Sequence, residues 1–245
     1  MSQSIATAGT SVSTPRLYRT AGRAAIVAGV AYLVQPIIVF LLDPAAGIAY
    51  DENDPSAFYP NPVDALTTWY LGSIQAIEFT VIAVASLLLV LSVGTITRRS
   101  LGEAGPWAQA THVLGLIASV GWLLTAGAAF ASHLLVAYSL TDFQVDAETQ
   151  KLALQAATLG MAPAIALVMV GTGGWMLGLA VTGRRAGLIP AALRVIAVIV
   201  GVALLANVLI NPTGVPTFGL VVIPAWIALG CVLLVRGRRA ARESQ

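Results

Sequence analysis

All twelve arginines of this 245-residue chain fall on one side of six long apolar runs, and no other feature constrains the fold as much. The runs cover residues 22–42, 68–97, 109–137, 151–182, 190–210 and 217–235. If they are threaded through a bilayer, alternate connections hold every arginine. Arg16, Arg19 and Arg23 precede the first run, and Arg98 and Arg99 follow the second. Arg184, Arg185 and Arg194 surround the turn from the fourth to the fifth, and Arg236, Arg238, Arg239 and Arg242 follow the sixth. The opposite connections hold the single lysine, Lys151, and eight of the eleven acids: Asp43, Asp51, Glu52, Asp54, Asp64, Asp142, Asp146 and Glu148. Cytoplasmic loops retain Lys and Arg, so both termini are expected in the cytoplasm. The fold class that follows is all-α, a polytopic six-helix transmembrane bundle.

Composition agrees. The chain is 58% hydrophobic and 10% charged, with a mean hydropathy of +0.85, whereas soluble domains run about 25% charged. A span needs about 20 apolar residues to cross about 30 Å of hydrocarbon, so six spans with short loops consume nearly the whole chain. The expected organisation is a disordered cytoplasmic tail over 1–15, one membrane domain over 16–236 and a basic cytoplasmic tail over 237–245. An uncleaved first helix fits better than a secretory signal: its run is too long, and its removal would spoil the charge alternation. The basic side faces anionic lipid head groups. Nucleic acid is excluded as a partner, because the arginines sit in short dispersed loops without an aromatic platform.

Local signals refine this layout. The connection from Asp43 to Ala65 contains Pro44, Pro55, Pro60 and Pro62 and reads as turn-rich. Asp64 is expected to cap the second helix, with Trp69 and Tyr70 at the outer head-group level and Trp107 as an inner anchor. The third and fourth runs exceed the length of a span and should form a hairpin that tilts or projects outward, capped at Asp142 or Asp146. Pro163 should bend the fourth helix. Gly174 and Gly178 have close-approach spacing, read as internal packing before dimerisation. Pro190 opens the fifth helix after the TGRRAGLIP link.

Chemistry is sparse. Cys231 stands alone, which excludes an intrachain disulfide or a thiolate metal cluster. His112 and His133 are twenty-one residues apart on one helix, ~31 Å along its axis, so they cannot share a haem. No HExxH, GxSxG, SxxK or GxxxxGK[ST] motif occurs. Asp51, Glu52 and Asp54 lack an EF-hand frame and read as a solvated loop. No metal and no cofactor is expected.

Glu78 is the exception. It lies nine residues beyond Trp69, ~13 Å into the hydrocarbon, where an ionisable group costs roughly 2.5–3.5 kcal/mol and should face the bundle interior. With no cation near it, its carboxyl is cheaper neutral than charged. Gln75 shares its helical face. Gln35 reaches a similar depth from the first helix, and Pro36 frees a backbone carbonyl beside it. Gln155, Thr158, Asn207, Asn211 and His133 approach the same layer from the outer side. Together these residues suggest an outward-opening polar pocket with Glu78 at its floor, or else a structural network joining the first two helices. The expected activity is binding of a small or lipid-like ligand, or service as a membrane partner subunit. Alternatives are a proton- or cation-coupled transporter using Glu78, and a membrane enzyme pairing His133 with an outer-loop acid.

The segment GWMLGLAVTGRRAGLIPAALRVIAVIVG (174–201) and the start RTAGRAAIVAGVAYL (19–33) resemble the bacterial six-helix membrane-protein family defined by domain of unknown function 4386. In that family a helix ends at a basic residue, a Gly-x-x-Pro link follows, and the next helix has Leu and then Gly. The resemblance implies a plasma-membrane protein with six spans, and no assigned activity or site residues. Arginine in place of lysine, with abundant Ala, Val and Gly, looks like the usage of a GC-rich bacterium such as an actinobacterium.

Overall fold

The computed structural model of the protein describes residues 14–33, 62–101, 105–141, 147–210 and 219–243, and the side chains of 14–33, 73–101, 105–131, 161–210 and 222–243. The described residues form six helices and no strands: α1 (Thr14–Tyr32), α2 (Pro62–Leu101), α3 (Pro106–Thr141), α4 (Ala147–Arg185), α5 (Ala191–Ile210) and α6 (Gly219–Glu243). Four are long and apolar enough to cross a membrane, over Ser73–Leu101, Pro106–Ala131, Met161–Arg185 and Ala191–Ile210. The first and sixth apolar runs extend into 34–42 and 217–218, outside the described residues.

Neighbours in sequence are mostly neighbours in space. The packing order is α5, α4, α3, α2, α1, α6, with only a slight contact returning from α6 to α5. Small residues set how closely the helices approach. Gly22 of α1 and Gly230 of α6 face each other so tightly that a Cβ on Gly230 would sit 2.8 Å from the Gly22 carbonyl oxygen and 2.6 Å from Ile26 Cγ1. On α4, Gly174 and Gly178 face Leu114 and Thr111 of α3, while Gly173 faces Gly201 of α5. The glycines at 174 and 178 therefore serve packing within the bundle, and Gly173 works on the other side of the same helix. This is the small-residue route to association where lipid removes the hydrophobic drive between helices.

The ends follow local rules. α4 stops in a Schellman motif: Gly187 takes φ 64°, Leu188 N–H donates to the Gly183 carbonyl at 2.6 Å, and Gly187 N–H donates to Arg184 at 3.0 Å. The Pro190 carbonyl then accepts from Arg194 N–H at 3.1 Å, closing the first turn of α5. α2 begins at Pro62, so Asp64 lies within its first turn instead of capping it. With 40 residues α2 is ~60 Å long, and it joins α3 and α4 as a helix longer than a bilayer core. α4 continues through Pro163 and α6 through Pro224. α6 also runs on to Glu243, so the basic segment after Arg236 is helix as far as that residue. Of the expected N-terminal tail, 1–13 lies outside the described residues, as do Asp142 and Asp146, whereas Thr14 and Pro15 already belong to α1.

The arginines gather at one end of the bundle. One cavity is bordered jointly by Arg98 at the end of α2, Ala108 at the start of α3 and Thr182 near the end of α4. Gly237 of α6 packs on Tyr18 and Arg19 of α1, and Pro190 at the start of α5 borders the same cleft as Arg236. Arg98, Arg99, Arg184, Arg185 and Arg242 occupy last turns, where they also oppose the helix dipole.

Candidate functional site

Polarity on α2 is inverted relative to a soluble helix. Ile77 is 65% exposed and its neighbour Glu78 only 5%. Leu123, Leu124, Val195, Ile199 and Val202 likewise face outward on α3 and α5. A carboxyl turned inward among helices whose outer faces are Leu, Ile and Val is the arrangement a hydrocarbon solvent selects.

Four aromatic rings from four helices meet inside this layer. Trp122 of α3 lies 5.4 Å edge-on from Tyr32 of α1, 5.7 Å from Phe79 of α2 and 6.5 Å from Trp226 of α6. These are normal separations for edge-to-face and tilted pairs, so the rings form a packed plug and not an open cage. Phe79 is next to Glu78 in sequence, and Tyr32 is near enough to feel the Glu78 charge. Trp122 and Trp226 are buried, and neither indole N–H has a hydrogen-bond partner among the described residues. A buried donor without a partner costs roughly 1–3 kcal/mol, so these two are unusual in a packed interior. The site thus combines one carboxyl, one phenol and two indole donors within an aromatic layer.

Six hydroxyls of the bundle are committed within their own helices, whereas the buried Ser86 and Thr172 hydroxyls have no partner among the described residues. Thr80, Thr95, Thr111, Ser119, Thr125 and Thr182 each donate to the carbonyl four residues earlier, at 2.7–3.1 Å. Such back-bonding hides a hydroxyl in apolar surroundings. Among the described residues no group of three His, Cys, Asp or Glu could hold a metal ion.

The sequence-derived site residues separate into three groups. Gln75 and Glu78 share α2 three residues apart, Gln75 half-buried and Glu78 buried. Asn207 is buried in the α4–α5 seam, where its Nδ2 donates to Met169 Sδ at 3.0 Å. Gln35 and Asn211 lie outside the described residues; His133, Gln155 and Thr158 lie on α3 and α4, with side chains outside them. Sequence reasoning missed the aromatic plug. Its signal was available in two tryptophans placed in mid-run, away from the interfacial levels that tryptophan favours.

His112 packs in the α2–α3 seam at the arginine-bearing end, where a Cβ on Gly94 would come within 2.6 Å of His112 Nδ1. That nitrogen is buried without a hydrogen-bond partner among the described residues, beside a cavity of about 10 Å³ that Thr97, Arg98 and Thr111 also line. Trp107, in contrast, is 70% exposed in the first turn of α3, as an interfacial anchor should be.

Comparison with known protein families, with characterised proteins and with solved structures gives no match to this chain.

Proposed function

We propose that the chain is a multi-pass protein of the bacterial plasma membrane, crossing it six times with the arginine-rich end and both termini in the cytoplasm. In its outer half it binds a small polar or lipid-like ligand around Glu78. The observation that supports this most is the buried Glu78 carboxyl, next in sequence to Phe79 of an aromatic layer in which two indole donors have no partner among the described residues. The carboxyl supplies an acceptor or, when protonated, a donor. The indole N–H groups of Trp122 and Trp226 supply donors, and the rings supply apolar walls. The packed rings must part to admit a ligand, and the groups then uncovered suit a compact molecule with a few polar groups.

Difference infrared spectroscopy across pH, on purified protein with Glu78→Gln as the reference, tests the reading. A Glu78 carboxyl band that titrates near neutral pH shows that water, and hence a ligand, reaches the site. A band that stays protonated at every pH overturns the pocket and leaves Glu78 as a sealed bond between helices. A second reading, proton- or cation-coupled transport, draws on the same buried carboxyl. Flux in proteoliposomes whose pH dependence survives Glu78→Gln would remove it.

A further inference from the structure

At the opposite end of the bundle α5 and α6 barely touch, and a cleft of about 610 Å³ opens where they part. This volume falls within the ~300–1,000 Å³ typical of small-ligand sites. Its inner wall is apolar, made by Cys231, Val232 and Val235 of α6 with Pro190 at the start of α5. Its rim is cationic: Arg236 and Arg239 lie one and two turns further along α6, and Tyr18 of α1 stands beside Arg236. Tyr18 precedes the apolar run of α1. Burial raises its phenol above the ordinary value while Arg236 pulls it down, and the net rise keeps the hydroxyl a donor at neutral pH. One acid, Glu243, also borders the cleft, a turn beyond Arg239.

We propose that this cleft is a binding site for an anionic phospholipid, with the phosphate held by Arg236, Arg239 and the Tyr18 hydroxyl and an acyl chain laid along Cys231 and Val235. Charge and polarity specify the occupant together. Two guanidiniums and a phenol select a phosphate oxyanion. The apolar wall continues ~6 Å along α6 from Val235 to Cys231, beyond the arginine rim, which a soluble anion has no use for. The cleft also lies at the arginine-bearing end, the end expected to meet the anionic leaflet. The inference rests on the membrane reading and is independent of Glu78.

Cys231 is the only cysteine in the chain, is exposed, and lines the cleft, so its thiol reports occupancy directly. The rate of maleimide modification is measured on the full chain in neutral detergent micelles, with phosphatidylglycerol or phosphatidylcholine of matched acyl chains added. Phosphatidylglycerol should slow the reaction at least fivefold, and phosphatidylcholine less than twofold. Arg236→Gln with Arg239→Gln should abolish the protection. Arg184→Gln with Arg185→Gln removes the same charge at the same end outside the cleft and should preserve it. Val235→Trp, which fills the cleft without changing its charge, should make the rate insensitive to either lipid. Equal protection by the two lipids, or equal loss in the two arginine pairs, would overturn the site. Full protection by glycerol phosphate or inorganic phosphate alone would reassign it to a soluble anion. Unchanged helix content on circular dichroism across the variants confirms that each remains folded.

Discussion

Trp122 makes three of the bundle's ring contacts and joins α3 to α1, α2 and α6 at one level. Truncation to alanine should cost about 2–4 kcal/mol, somewhat less than the ~3–5 of a soluble core, because lipid instead of water would receive the newly exposed surfaces. Trp122→Phe should retain most of this. Unfolding in mixed micelles titrated with a denaturing detergent measures both, and an alanine variant as stable as the parent would show that the plug is not structural. Thr125 gives the contrasting case. It is buried, but its hydroxyl donates at 2.8 Å to Gly121 on its own helix. Thr125→Val should therefore change stability by no more than about 0.5 kcal/mol in the same titration, since no interhelical bond is lost.

At the scale of elements, the seams depend on glycine where two backbones approach and not on glycine as such. Gly230→Leu would drive a side chain into the Gly22 carbonyl and Ile26, neither of which can move without separating α1 from α6. Overpacking of this kind costs typically 1–3 kcal/mol, and more where the obstacle is backbone. Broadened gel-filtration elution and a lowered unfolding midpoint are expected. Gly127→Leu is the control, because no atom of the described residues lies within 4 Å of a Cβ at that position. It should elute and unfold like the parent. Parent-like behaviour of both variants would show that the α1–α6 seam opens to admit a side chain.

For the whole molecule, the one-ended arginine distribution makes a topological prediction. Green fluorescent protein fused after Gln245 should fluoresce, and alkaline phosphatase inserted between Asp43 and Ala65 should be active, because the proposed topology puts the two positions on opposite sides of the bilayer. Inactive phosphatase with a fluorescent C terminus would break the six-span thread between the first and second runs. Replacing Arg98, Arg99, Arg184 and Arg185 with glutamine should weaken the orientation and give mixed reporter signals. Any change in helix content on circular dichroism would instead indicate that these last-turn charges support the helices themselves.

Helical class, the approximate course of the helices and the gathering of arginine at one end were legible in the residues alone, because each depends on one-dimensional quantities. Run length sets a span, alternation of charge sets the side, and Gly187 before Pro190 sets a stop and a start. Glu78 was legible for a similar reason, since a lone carboxyl in an apolar run can avoid lipid only by turning inward. Which helices touch was not legible. Periodicity is weak when lipid and protein interior are equally apolar, so the sequence holds little information on which face of α2 or α4 meets a neighbour. Only the tertiary structure could bring Tyr32, Phe79, Trp122 and Trp226 to one level, seat His112 in the α2–α3 seam against Gly94, commit Asn207 to Met169, and leave α5 and α6 parted over Arg236 and Arg239. Those are facts of which helix lies beside which, and in a membrane that choice is made by the fit of small and large side chains across each seam.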